Sequence, residues 1–205
     1  MIKIAITGNI GSGKSTITEI IRELGFKVFD SDKEVKKILM KKDLINQINK
    51  EFKSKIPGLI KRNKIDRAKL GEFVFSNPDE LKKLEQIVHP KVWESKENFF
   101  EKNSNEPAVF LDIPLLFEKK LQSKFDFIIR TYVSEEVQKK RVLKRKNMTF
   151  AKYNQIRKTQ TDYSGVEEKF VSLDINTEED IKIIKKNVKN FLEKILSQKK
   201  ELNLT

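Results

Sequence analysis

Three groups of residues in this 205-residue chain have types and spacing suited to phosphate chemistry. The first is GNIGSGKST at residues 8–16. It fits G-x-x-x-x-G-K-[ST], with Gly8, Gly13, Lys14 and Ser15 at the fixed positions. Glycine lets a backbone come close to a ligand. The run Gly8, Asn9, Ile10, Gly11, Ser12, Gly13, Lys14, Ser15 and Thr16 therefore reads as a nest of N–H groups for phosphate oxygens, opening onto a helix N-terminus. Lys14 suits the β- and γ-phosphates, and the Ser15 hydroxyl suits Mg²⁺. A nucleoside triphosphate bound with Mg²⁺ is the expectation.

The second group is acidic. Asp30 and Asp32 are expected to end the strand that holds FKVF, and Asp112 the strand in PAVFLDI (107–113), so that all three converge on the edge that carries Gly8–Ser15. Asp112 at the end of a buried strand suits the metal-holding carboxylate of a P-loop enzyme. Asp32 or Asp30 suits an acceptor, where a carboxylate takes the proton of an attacking alcohol. Both also have a structural reading, since Asp at a strand end caps helices. The third group is Arg141 and Arg145, four apart on one helix face. They precede a basic stretch over 146–165 that reads either as a flap closing over a triphosphate or as a solvated helix. His89 is the single histidine, and its pattern alone assigns it no catalytic role.

Strands and helices must carry these groups to one place. MIKIAIT reads as a buried strand before the loop, and Ile17, Ile20, Ile21 and Leu24 repeat at helical spacing after it. Strands are expected at FKVF, 107–113, 125–133 and 169–175. Between them, helices are expected over about 33–105, with caps at Asp66 and Pro78 and a break at His89–Pro90. Ser134 caps the helix that holds Arg141. Ile181, Ile184, Val188, Phe191 and Ile195 mark a last amphipathic helix. Strands alternating with helices predict an α/β fold, a parallel sheet covered on both faces, with ligands beyond the carboxyl ends of its strands.

The composition narrows the partners. The formal net charge is +13, which attracts polyanions. The lysines are scattered, without interleaved aromatic residues, so nucleotides explain the charge and nucleic acid is not expected. Cysteine is absent, which excludes disulfides and thiolate metal sites. No apolar run approaches the ~20 residues of a membrane helix, and no signal segment precedes the first strand. A cytoplasmic protein, a monomer or weak homo-oligomer, is expected.

The motifs TGNIGSGKST, GFKVFDSD, LEQIVHPKV, FLDIPLLFE and QKKRVLKR, in that order, resemble the dephospho-coenzyme A kinase family over nearly the whole chain. HPKV followed about twenty residues later by DIPLLFE is the most specific part. The resemblance implies a single P-loop domain of three α/β/α layers, with an inserted helical acceptor-binding lobe at about 33–105 and a lid at about 140–165. It implies ATP and Mg²⁺, and transfer of the γ-phosphate to the ribose 3′-hydroxyl of dephospho-coenzyme A. By motif, Asp32 looks like the base and Arg141 like the lid arginine. His89, Pro90 and Leu115, Leu116 and Phe117 look like the acceptor side, and Asn176 matches the Asn expected in the nucleotide site. The chain departs from the family pattern at Asn9 (usually Gly), at Ile156 and Arg157 before Gln160, and at Val171, where the usual Ala-Asp opening is missing.

Two other readings compete. One is a different P-loop kinase of small molecules or nucleotides. The other is a basic nucleotide-dependent switch or binding module. A GTPase would need a base-reading N-K-x-D, and this chain is expected to show none.

Overall fold

Strand β1 (Ile2–Thr7) is buried at five of its six positions, as expected of a strand covered on both faces. In the computed structural model, which describes residues 1–146, 148–160 and 166–202, it is the centre of a five-stranded sheet. The other strands are β2 (Lys27–Asp30), β5 (Ala108–Asp112), β6 (Phe127–Tyr132) and β7 (Leu173–Asn176), in the order β2-β5-β1-β6-β7. The pairings β1/β5, β1/β6 and β6/β7 are parallel. The register sets Asp112 opposite Ile6 and Arg130 opposite Thr7. Asp112 therefore lies level with the end of β1, where the glycine loop begins.

The chain divides into two units, one formed by Met1–Phe29 with the chain from Asn103 onward, the other by Asp30–Lys102. In the first, helix α1 (Lys14–Glu23) buries Ile17, Ile20 and Ile21, while Leu24, on the expected face, is the exposed C-cap. Helix α8 (Ile181–Leu202) buries Ile184, Val188, Leu192 and Ile195 against β1 and β5 residues. Ile181 is exposed, so the stripe starts one turn later than the periodicity suggests. A second cluster sets Leu116 and Phe117 against Ala5 and Ile128.

The second unit has its own core. Helices α2 (Ser31–Ile38), α3 (Lys42–Phe52), α4 (Arg67–Phe75) and α5 (Pro78–Lys102) bury Ile38, Leu44, Ile48, Phe52, Leu70, Val74 and Val88 together. Asp66 caps α4 by accepting from the Lys69 N–H. Between α3 and α4, β3 (Ile60–Lys61) and β4 (Lys64–Ile65) make a short hairpin. The string N-K-x-D does occur, at residues 63–66, and it is used here as structure. Asn63 turns the hairpin with φ 59°, and Asp66 both caps α4 and pairs with Lys61 at 3.1 Å.

Three expectations need correction. Helix α5 does not break at His89–Pro90 but runs through Pro90. Proline removes one helical hydrogen bond, at a cost of about 3 kcal/mol. The exposed Pro90 is carried because Val88, Leu84, Ile87 and Val92 pack on either side of it. Strand β7 starts at Leu173, not Lys169, because Val166–Phe170 form a 3₁₀ turn. Asp32 is not at a strand end; it lies in the first turn of α2.

Candidate active site

Gly13 is the N-cap of α1, left-handed at φ 85°, with no side-chain cap on the helix. No acidic residue stands in the first turn of α1, so its positive end is open to an anion. The loop before it is held from three sides. A Cβ on Gly8 (φ 152°) would lie 2.2 Å from Thr131 Oγ1, and one on Gly13 would lie 2.4 Å from Thr177 Oγ1. Neither position admits a side chain. Ser12 Oγ is 2.7 Å from Thr131 Oγ1, and the Asn9 carbonyl accepts from the Ser12 N–H at 3.0 Å. Asn9 and Ile10 are half-buried, and the Ile10 N–H donates to Gln160 Oε1 at 2.9 Å.

Lys14 pairs with the Asp112 carboxylate, joining the first residue of α1 to the last residue of β5. Asp112 is buried, and the Thr18 hydroxyl sits between the Lys14 carbonyl oxygen, at 3.0 Å, and Asp112 Oδ2, at 3.3 Å. Thr18 was not singled out from the sequence. Its signal was spacing, one helical turn after Lys14 on the buried face of α1. Ser15 and Thr16 are exposed in the first turn of α1.

Arg141 projects from helix α6 (Glu135–Leu143), which Ser134 caps by accepting from the Val137 N–H. It is half-buried and already engaged. Its Nη1 donates to Thr177 Oγ1 at 2.8 Å and its Nη2 to the Thr177 carbonyl at 2.9 Å. Thr177 directly follows β7 and was also not foreseen. Its neighbours shape the same turn. Asn176 Oδ1 accepts from the Glu178 N–H at 3.0 Å, and Glu178 Oε1 accepts from the Ser134 N–H at 2.5 Å. The Ser134 N–H and hydroxyl, with the positive Arg141 nearby, hold the Glu178 carboxyl below the ordinary glutamate value. Arg145 is exposed beyond the end of α6.

Helix α7 (Phe150–Thr159) is anchored rather than loose. Tyr153 is 1% exposed and donates to Gln138 Oε1 of α6 at 3.0 Å. Arg157, at the departure from the family pattern, pairs with Glu135, which raises its pKa further. Ile156 is half-buried. The rest of the expected lid, 161–165, lies outside the described residues. Val171 is partly buried against the Leu116 cluster.

The acceptor-side residues fall in different settings. Asp30 accepts from the Lys33 N–H at 2.9 Å, so its carboxylate caps α2, while Asp32 is exposed. His89 is exposed on α5, with Nε2 3.9 Å from Glu85 Oε1. Pro90 is exposed beside it, and Leu115 is half-buried. Leu116 is 0% exposed. Its place is in the core, which differs from the acceptor-side expectation.

A strand, a glycine loop, a helix with an open N-terminus and a carboxylate on the neighbouring strand form a phosphate-handling arrangement. The family profile described as dephospho-CoA kinase matches residues 2–180. The chain belongs to the dephospho-CoA kinase family. A dephospho-CoA kinase of Fusobacterium nucleatum is 42% identical over 142 residues, covering 69% of this chain and 72% of that protein. One of Listeria monocytogenes is 32% identical over 207 aligned positions, covering 96% of this chain and 98% of that protein. The solved dephospho-CoA kinase of Campylobacter jejuni superposes with a TM-score of 0.72 at 28% identity, covering 96% and 98% of the two chains. As a member of this family the protein is an enzyme, a kinase. No helix among the described residues is long and apolar enough to cross a membrane.

Proposed function

We propose that this kinase transfers the γ-phosphoryl group of ATP to the ribose 3′-hydroxyl of dephospho-coenzyme A, giving ADP and coenzyme A. The observation that carries the reading is the pairing of Lys14 with Asp112 beside an uncapped helix N-terminus, in a chain of this family. Backbone N–H groups of the Gly8–Thr16 loop take the phosphate oxygens, and the Lys14 ammonium offsets charge on the group in transfer. The site's oxygen donors fit Mg²⁺, a hard cation that prefers oxygen ligands. Ser15 and Asp112 would hold it, and when bound it neutralises charge across the β- and γ-phosphates.

The 3′-oxygen of the acceptor forms the new bond to the γ-phosphorus as the bond to the β–γ bridging oxygen breaks. The hydroxyl proton passes to Asp32. The capping duty of Asp30 and the exposure of Asp32 support this choice between the two carboxylates. Arg141 serves the nucleotide phosphates. Asn176 lies on the nucleotide side, His89, Pro90 and Leu115 on the acceptor side, and residues of about 140–165 act as a lid. The enzyme works in the cytoplasm on a small molecule, without nucleic acid, as a monomer or weak homo-oligomer.

ATP consumption measured against dephospho-coenzyme A, adenosine, nucleoside monophosphates, shikimate and gluconate tests the reading. Turnover with dephospho-coenzyme A far above the others is expected. Preference for a nucleoside monophosphate or a sugar would replace it with another small-molecule kinase.

A further inference from the structure

Thr177 is 8% exposed, has no assigned chemistry, and touches two parts of the phosphate machinery at once. Its hydroxyl donates to the Ser12 carbonyl of the glycine loop at 2.8 Å. The same oxygen accepts from Arg141 Nη1 at 2.8 Å, and the Thr177 carbonyl accepts from Arg141 Nη2 at 2.9 Å. The proton direction is fixed by chemistry. A carbonyl oxygen only accepts and a guanidinium only donates. The single hydroxyl proton must therefore point to Ser12, leaving a lone pair for Arg141.

Backbone and packing hold the hydroxyl in place. The Thr177 N–H donates to the Tyr132 carbonyl at 3.0 Å, so the residue continues the β6/β7 register by one step. Its side chain also fills the space that a Cβ on Gly13 would need. Two parallel contacts from one residue fix the plane of a guanidinium as a fork, which an ammonium could not reproduce.

We infer that Thr177 is a positioning residue for phosphoryl transfer: it orients the Arg141 guanidinium and ties it to the glycine loop through one hydroxyl. The inference rests on the kinase reading above and on Arg141 acting on the phosphates. Groups that stabilise a transition state act at full strength only when held in place beforehand. Losing the hydroxyl should therefore lower kcat through Arg141, without Arg141 itself being changed.

The experiment is a double-mutant cycle of Thr177→Val and Arg141→Ala on the full-length protein, with Thr177→Ser as the conservative variant. Thr177→Val keeps the shape and loses the hydroxyl, and is expected to lower kcat by about tenfold. Thr177→Ser should recover most of it. In the Arg141→Ala background, Thr177→Val should change kcat by less than about twofold, because the group it positions is gone. A tenfold loss in both backgrounds would overturn the inference, since the effect would then come from the loop alone. Wild-type kcat in Thr177→Val, or in Arg141→Ala, would overturn it as well. If Thr177→Val does not fold, Thr177→Ala lacks the same hydroxyl and replaces it. A second readout needs no turnover. The ¹⁵N-resolved guanidinium signal of Arg141 should show restricted rotation in the wild type and Thr177→Ser, and faster rotation in Thr177→Val, which keeps only the carbonyl contact. Free rotation in the wild type contradicts the inference even if the protein proves to be a different kinase.

Discussion

Lys14, the first residue of α1, and Asp112, the last residue of β5, form an ion pair across the carboxyl edge of the sheet. Both are also assigned to the triphosphate and its metal. The pair keeps a buried carboxylate compensated, and in the proposed mechanism its ammonium serves the phosphates. Lys14→Ala is expected to lower kcat by about 10²–10³. It also leaves Asp112 without its cation, at about 1–3 kcal/mol of stability. Adding Asp112→Asn should recover stability while activity stays low. Thermal melts and initial rates of the two variants check this, and near-normal turnover in Lys14→Ala would contradict the loop's role.

Asp32 and Asp30 are two residues apart but differently employed. Asp30 caps α2 and Asp32 is exposed in its first turn. General-base catalysis is worth roughly 10²–10⁴-fold, so Asp32→Asn should reduce kcat by that order with little change in ATP affinity. Asp30→Asn keeps an oxygen that can accept from the Lys33 N–H, and Asn caps a helix as well as Asp, so it should change stability and chemistry little. The opposite pattern in steady-state kinetics would move the base to Asp30. Full activity in both would remove the carboxylate from the mechanism.

Tyr153 fastens α7 to α6 through its hydroxyl on Gln138. Tyr153→Phe keeps the ring and leaves a buried amide oxygen short of a donor. It should destabilise the protein by about 1–3 kcal/mol, read as a lower denaturant midpoint. An unchanged midpoint would mean that α7 is not held by this bond.

Glu178 has its carboxyl pKa held low in the folded protein, first by the Ser134 N–H. A depressed folded value means that its stabilisation is present above the unfolded value, about 4.3, and is lost as pH falls through the folded one. The stability difference between wild type and Glu178→Gln should therefore be constant near neutrality and shrink in acid. A difference that grew below that pH would reverse the assignment.

The loop, its strand and its helix were legible because their signals are local: a glycine spacing, an apolar run and a 3.6-residue repeat. The caps at Asp66 and Ser134 were legible for the same reason. What was not legible depends on partners distant in sequence. The Arg130–Asp174 pair across β6 and β7 joins residues 44 apart. The Thr177 bond to Ser12 spans 165 positions. Leu116 reads like any apolar residue of FLDIPLLFE until the sheet shows that Ala5 and Ile128 enclose it. Pro90 carries a strong local signal for a break, and tertiary packing of α5 overrides it.

The central claim is a phosphoryl transfer to one particular oxygen. Incubating the protein with ATP, Mg²⁺ and dephospho-coenzyme A, and locating the new phosphate by ³¹P–¹H coupling in the product, tests it directly. Coupling of the new phosphorus to the ribose H3′ proton, with one ADP formed per phosphate transferred, is the predicted result. A phosphate on any other oxygen, or ATP hydrolysed with the acceptor unchanged, would contradict it.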